Sequence, residues 1–403
     1  MSTSLLYHRF GIQGYQYVRS QYCRGQTVFA VRQDPADMAC SHCGSRDVIR
    51  RGQVPRRFRT VPIGRTPVWI DLPVQRVACR RCRVVQQVRV PFAVGHHSYT
   101  RSFERYATEL CQAMTIQDVA HHLGVSWDVI KDIHKRHLRR RFGQPDLGHL
   151  THIAIDEICI GRPQRFLTIV LDLHSGAVVF VGKGKDQEAL EPFWALLGRH
   201  KPAIQAVAID MAPSYLSAVL DHLPDAKIVF DRFHVIKLYN RKLTDLRRQV
   251  QNAAEALGKK ALKNTRWLLV KNPENLDSTK DEPQRLQEAL RLNQPLATAY
   301  YLKEDLRQFW EQADKATASR FLTDWIARAQ ASGITVLKKF AQLLLAYRSG
   351  LEAWYDHPIS SGPLEATNNK IKTLQRRAYG YRDQDYFTLR IYGLHLTKYA
   401  LVG

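Results

Sequence analysis

Two short runs, "CSHC" at Cys40 and Cys43 and "CRRC" at Cys79 and Cys82, constrain the fold of this chain more than any other feature. A Cys-x-x-Cys turn aims two thiolates at one point, and two such turns complete a closed tetrahedral zinc site. The two turns therefore have to meet in space. Between them "VPRRFRTVPIGRTPVWIDLPVQRVAC" alternates polar and apolar residues, the pattern of a β-hairpin that returns its end to its start. One structural Zn2+ in an N-terminal β module over residues 1–95 is the expectation, with Cys40, Cys43, Cys79 and Cys82 as ligands. Buried free thiols and a redox pair are the competing readings. His42 is an alternative ligand, although its place inside the turn suits a solvent-facing side chain. Cys23, Cys111 and Cys159 read as packing residues, and seven cysteines in a reducing compartment point to metal ligation before disulfides.

Charge then narrows the partner. Lys and Arg number 60 against 37 Asp and Glu, a formal net charge of +23, which calls for a polyanion, nucleic acid before membrane. The excess is concentrated early: the first 110 residues hold eighteen arginines and no lysine, which suits bidentate phosphate contacts. The opening "MSTSLLYHRFGIQGYQYVRS" lacks a basic head followed by an apolar stretch, and no apolar run approaches the ~18 residues that span a bilayer. A cytoplasmic protein with no membrane partner is expected.

From Thr100 the apolar period becomes helical, with Phe103, Ala107, Leu110, Cys111 and Met114 on one stripe. In "TIQDVAHHLGVSWDVIKDIHKRHLRRRF", Thr115 caps a short helix, Gly124 makes a turn, and Ser126 caps a second helix ending in three arginines. That is a helix-turn-helix pattern over 96–143, with an ordinary helical hairpin as the competing reading. It sets Trp127, Asp128, Lys131 and Lys135 near the face that enters a DNA groove, and Arg139, Arg140 and Arg141 near phosphates. His121 and His122 read as surface residues. "GQPDLGHL", residues 143–150, reads as a linker.

After the linker come three short β-rich runs, "THIAIDEICI", "QRFLTIVLDL" and "GAVVFVGKG", then helices alternating with the strands "AIQAVAID" and "AKIVFD". This order makes an α/β sheet rather than a sandwich. From about Lys237 to Gly350 the pattern is helical throughout, a basic insertion. Two core strands end on Asp156 and Asp210, and carboxylates on neighbouring strands repel unless a cation lies between them. Hard oxygen donors of this kind suit Mg2+ or Mn2+. Glu157 alternates to the opposite face of its strand and is set aside. In "SSGPLEATNNKIKTLQRR" a helix puts Glu365, Asn369, Lys372 and Arg376 on one stripe, with Leu364, Ile371, Leu374 and Ala378 on the buried face. Glu365 then meets the metal, and the cations beside it hold phosphates.

At these residues the chain resembles a known family. "IDE", "IDM" followed by "PSY", "FDRFHVIKL" and "LEATNNKIKTLQRRAYGYRD" are similar to the ISL-three family of bacterial insertion-sequence transposases. The resemblance covers nearly the whole chain. It implies that Asp156, Asp210 and Glu365 are the DDE triad of an RNase H-like fold, holding two Mg2+ or Mn2+ ions for DNA cleavage and strand transfer. The expected fold class is multidomain α+β: zinc-binding β module, helix-turn-helix, and an RNase H-like α/β catalytic domain at 150–236 and 351–403 interrupted by an all-helical insertion at 237–350. The implied partners are double-stranded DNA, as terminal inverted repeats and target, and a second copy of the chain during synapsis of two ends. Asp231 and His234 match a family motif, with a strand-end and helix-cap role equally open. A non-catalytic DNA-binding regulator and a nuclease that cuts without joining are the alternatives.

Overall fold

A computed structural model of the chain describes residues 5–161, 163, 165–200, 202–253 and 262–396. Residues 1–4, 254–261 and 397–403, parts of the expected N-terminal, insertion and C-terminal segments, lie outside the described residues. The chain divides into two compact units, 1–144 with 376–403, and 145–375. The expected boundaries assigned all of 351–403 to the catalytic domain; the contacts of 376–403 are instead with the N-terminal unit, because the Gln384–Tyr392 helix packs there.

In the first unit a helix, α1 (Leu5–Phe10), precedes the strands β1 (Tyr15–Cys23), β2 (Gln26–Gln33), β3 (Val48–Ile63), β4 (Thr66–Cys79) and β5 (Val85–Gln87). The sheet order is β1-β2-β4-β3, with β5 also on β4. The predicted hairpin is β3–β4, paired antiparallel from Val48↔Cys79 to Ile63↔Thr66 and turning at Gly64, whose φ of +59° favours glycine. Along β4 every second residue, Val68, Ile70, Leu72 and Val74, is buried on the core face beside Phe10, Phe29, Phe58 and Phe92. Each such side chain contributes about 1.5–3 kcal/mol. Arg59 departs from the phosphate-contact expectation. It is buried, donates to the carbonyls of Val68 and Leu123, and thereby holds the helix ending at Leu123 to the sheet.

Three helices follow, α2 (Arg101–Leu110), α3 (Ile116–Leu123) and α4 (Trp127–Phe142). Thr115 and Asp118 form a reciprocal capping box on α3, and Gly124 ends it at a φ of +62°. Ser126 stands at the N-cap position of α4 without a side-chain cap bond. Phe103, Ala107, Val119, Leu123, Ile130 and Ile133 make the shared core. The Gln384–Tyr392 helix packs on α4 through Leu138, Tyr386 and Leu389, with Tyr386 Oη 2.8 Å from His134 Nδ1.

The second unit is built on β6 (His152–Gly161), β7 (Arg165–Asp172), β8 (Val178–Lys183), β9 (Ala206–Ile209) and β10 (Lys227–Phe230), in the order β10-β9-β6-β7-β8. β6, β9 and β10 run parallel, and β6, β7 and β8 form an antiparallel meander in which β7 pairs with β6 and β8 with β7. This is the RNase H-like arrangement. Helices α5 (Glu191–His200) and α6 (Pro213–His222) cover the face carrying Ile153, Ile155 and Val170. Helix α7 (Arg232–Ala253) opens the helical segment five residues before the expected start at 237. That segment has its own aromatic centre, Tyr239, Trp325 and Phe340. It returns to the sheet where Gly350 packs so closely on Phe230 that a Cβ would overlap the ring. The chain then enters the Gly362–Arg377 helix, whose Leu364, Thr367, Asn368, Ile371 and Leu374 are buried. Ala378, expected on that buried face, lies past the helix end and is exposed.

Two of the three cysteines expected to pack are exposed instead. Cys23 ends the edge strand β1, where little covers it, and Cys159 sits near the end of β6; only Cys111 is buried.

Candidate active site and zinc cluster

Parallel register gathers the acids. His152↔Ala206, Ile153↔Val207 and Ala154↔Ala208 pair β6 with β9, so continuing two residues sets Asp156 beside Asp210. Phe230↔Ile209 pairs β10 with β9, and one residue further Asp231 joins the row. Asp210 and Asp231 thus stand just past the carboxyl ends of β9 and β10, where open α/β sheets place their ligands, while Asp156 joins the row from within β6, which runs on to Gly161 instead of ending at the aspartate as expected.

They do different things. Asp231 is buried, and its Oδ1 accepts the N–H groups of Phe233 (2.8 Å) and His234 (3.3 Å) at the start of α7. Its Oδ2 accepts the N–H of Ser361 at 2.8 Å, immediately ahead of the helix bearing Glu365. Of the two roles open for Asp231, strand end and helix cap describe what it does, and it also clasps two segments 130 residues apart.

Asp156 is half-buried. Burial pushes its carboxyl up to about 6, the charges of Glu157 and Asp210 push the same way, and the charge of His234 opposes them. An acid whose pKa is raised by neighbouring carboxylates lies closely enough to them for a cation to relieve the repulsion. Asp210 lies just past the end of β9, with Oδ1 accepting the Ala212 N–H at 3.0 Å. Strand alternation turns Glu157 away from Asp156, yet it stays within the same field: burial first, then the Asp210 charge, raise its carboxyl.

The residue that sequence reasoning missed is Asn368. Its Nδ2 donates to Asp156 Oδ2 at 2.9 Å, it is 6% exposed, and its Oδ1 is buried without a hydrogen-bond partner among the described residues. An amide on the apolar stripe between Leu364 and Ile371 was the available signal, since a buried polar side chain demands a partner. An orphaned oxygen beside gathered carboxylates also fits a hard cation. Glu365 is exposed on the first turn of this helix, one turn before Asn368. Among the described residues no hydrogen bond or ion pair ties it to Asp156 or Asp210. Asn369 and Arg376 are exposed and Lys372 is half-buried.

The four cysteines converge as expected. Their sulfurs all lie within 4.8 Å of one another, the one such group of His, Cys, Asp or Glu ligands among the described residues. Cys40–Cys82 is 3.6 Å and Cys43–Cys79 is 3.5 Å. Thiolates ~2.3 Å from one Zn2+ stand roughly 3.8 Å apart, so the quartet fits the ion. The Cys43 backbone N–H lowers the Cys40 thiol to about 6 and that of Cys82 lowers Cys79, while at Cys82 the Val84 N–H is outweighed by burial and the neighbouring thiols, which push it up to about 12, so the quartet shares its protons unevenly until a cation replaces them. His42 is exposed.

On α4 the expected groove face is partly occupied. Lys131 and Lys135 pair with Asp383 at 3.0 and 2.9 Å, Lys135 also with Asp385 at 2.9 Å, and Arg139 pairs with Asp385. Burial works against the charge of Asp383, but the two lysines and the Tyr386 N–H hold it far below the usual carboxylate range. Lys131 also stands 5.2 Å over the exposed Trp127 ring, and Arg140 and Arg141 are exposed.

Comparison with known proteins gives three family matches. Residues 153–391 match a model described as "Transposase", 88–138 one described as "Helix-turn-helix domain of transposase family ISL3", and 36–82 one described as "zinc-finger of transposase IS204/IS1001/IS1096/IS1165". The transposase for insertion sequence element IS1001 of Bordetella parapertussis is 33% identical over 389 residues, 94% of this chain and 95% of that one. The transposase for IS1557 of Mycobacterium tuberculosis is 30% identical over 371 residues, 85% and 82% of the two chains. Among solved structures, the Drosophila P element transposase strand transfer complex is similar at 13% identity and a TM-score of 0.43, covering 76% of this chain and 94% of that one.

Proposed function

The chain belongs to transposase family ISL3, and on that premise we propose that it cuts and joins DNA at the ends of an insertion sequence, with Asp156, Asp210 and Glu365 holding two divalent cations. Mg2+ or Mn2+ bound there supplies an activated attacking oxygen and charge stabilisation at the leaving oxygen of an in-line displacement. The chain's own residues do the positioning. Asn368 orients the Asp156 carboxylate through its 2.9 Å hydrogen bond, so a carboxylate that would hold the cations is set before DNA arrives. Glu365 reaches the same space by side-chain rotation from the turn ahead of Asn368. Asn369, Lys372 and Arg376 take the phosphates of the strand being cut.

The terminal inverted repeats are read by the helix-turn-helix, with Trp127, Lys131, Lys135, Arg139, Arg140 and Arg141 toward DNA; Lys131 and Lys135 exchange Asp383 for phosphate as they bind. One structural Zn2+ on Cys40, Cys43, Cys79 and Cys82 fixes the long hairpin beside it. The helical segment clamps flanking or target DNA, two copies of the chain hold two ends, and the reaction takes place on DNA in the cytoplasm. No described helix is long and apolar enough to cross a membrane.

The observation that supports this reading most strongly is the strand register setting Asp156 beside Asp210, with Asp156 raised by its acidic neighbours. The test is a strand-transfer assay with Mg2+ on a pre-nicked end. Joining supports the proposal, cutting alone indicates a nuclease, and binding alone indicates a regulator.

A further inference from the structure

After the Gly362–Arg377 helix the chain makes a short loop, Ala378 to Arg382, before Asp383 caps the next helix. Tyr379 at its tip is 101% exposed, as open as a side chain can be, and its φ is +52°. A bulky residue in left-handed backbone is strained, and a ring wholly in water gains nothing from burial. Among the described residues no hydrogen bond, ion pair or ring contact of the Tyr379 side chain offsets either penalty.

The rest of the loop is firmly built. Tyr381, two residues on, turns inward and stacks on Phe387 with ring centroids 4.6 Å apart. Gln384 Nε2 donates to the Tyr381 carbonyl at 2.8 Å, and the Tyr379 N–H donates to the Arg376 carbonyl at 3.1 Å. The outgoing end is anchored where Asp383 accepts the Tyr386 N–H and pairs with Lys131 and Lys135. Gly380, with φ +99°, lets the chain turn back. The outward ring is therefore presented by a fixed frame, with exposed Arg376, Arg377 and Arg382 within three residues of it along the chain.

A flat aromatic face among guanidinium groups matches one chemistry best: a π-face flanked by anions, an unpaired nucleotide. Paired bases are already stacked, so the ring finds a partner where the duplex is opened. We propose that Tyr379 is a stacking platform for an unpaired base of DNA, with Arg376, Arg377 and Arg382 on the adjoining phosphates. This rests on the DNA-acting reading above and adds a site for single-stranded DNA to it.

The test uses the full chain and two probes: a blunt duplex, and the same duplex with a short 3′ single-stranded extension of arbitrary sequence carrying 2-aminopurine. Wild type is expected to bind the extended probe more tightly and to quench its fluorescence by stacking. Tyr379→Ala should lose the quenching and weaken the extended probe roughly 5- to 100-fold, while binding blunt duplex as wild type does, which also reports an intact fold. Tyr379→Phe should retain both properties. Equal quenching by wild type and Tyr379→Ala, or equal weakening of both probes, overturns the proposal. Wild type that binds blunt duplex without preferring the extension defeats the stacking site alone; wild type that binds neither probe defeats the DNA-acting reading with it.

Discussion

Asn368 donates from Nδ2 to Asp156 Oδ2 at 2.9 Å, joining the helix that carries Glu365 to the central strand across 212 residues of sequence. The bond fixes where the most perturbed carboxylate of the site points, and it leaves the other amide oxygen buried and unpartnered among the described residues.

Replacing that amide is expected to separate positioning from folding. Asn368→Ala removes one hydrogen bond and should lower stability by about 1–2 kcal/mol. DNA cleavage should fall by roughly 10-fold or more, because the Asp156 carboxylate loses its orientation. Asn368→Asp puts a further negative charge beside Asp156 and should move the pH–rate profile to higher pH, a shift that a purely structural role would not produce. Cleavage rates across pH, with melting temperatures alongside, check both.

Asp156 also makes stability depend on pH. Its folded pKa, about 6, lies above the ordinary carboxylate value, so the folded chain holds the proton more tightly than the unfolded one. Stability from this group is fully present below the unfolded value near 4 and is lost as pH rises through 6. Melting in the absence of divalent ions should therefore favour wild type at pH 5 over pH 7.5 by more than it does for Asp156→Asn. Added Mg2+ should stabilise wild type more at pH 7.5 than at pH 5, since it competes with that proton.

The Asp231 clasp predicts a graded response. Asp231→Ala removes the cap of α7 and the hold on Ser361 together, with an expected loss of about 1–2 kcal/mol from the cap alone. Asp231→Asn keeps an acceptor for the cap and should recover part of it. Denaturant melts of both variants measure the difference.

Much of the architecture was legible because its signals are local. The Cys-x-x-Cys turns, the Thr115 capping box, Gly124 and the alternation along β4 each lie within a few residues of what they determine. What escaped the sequence depends on distant partners. Lys131 and Lys135 look like groove-facing cations until Asp383, 248 residues beyond Lys135, is seen to neutralise them. Glu157 was set aside by alternation, a rule for side chains on a strand that says nothing of an Asp210 lying beyond the strand end. Asn369, four residues after Glu365, shares its stripe, whereas Asn368, at three, reaches Asp156 because the helix docks with that face inward.

The neutralised lysines carry their own prediction. Asp383→Ala frees Lys131 and leaves Lys135 with Asp385 alone, so nonspecific duplex affinity should rise, and the slope of log affinity against log salt should steepen by about 1. Fluorescence anisotropy over a salt series checks this. An unchanged slope would mean that Lys131 never reaches DNA.

For the zinc cluster, Cys79→Ser is expected to abolish stoichiometric zinc and to unfold the β3–β4 hairpin end that Val48↔Cys79 pairing closes. Elemental analysis should find one zinc per wild-type chain.

The most direct test of the central claim is Mn2+ binding to the full chain, followed by electron paramagnetic resonance in wild type, Asp156→Asn, Asp210→Asn and Glu365→Gln, with zinc content as the folding control. Loss or severe weakening of bound Mn2+ in all three variants, with zinc retained, is the predicted result. Wild-type Mn2+ binding in the Asp156 and Asp210 variants would contradict it.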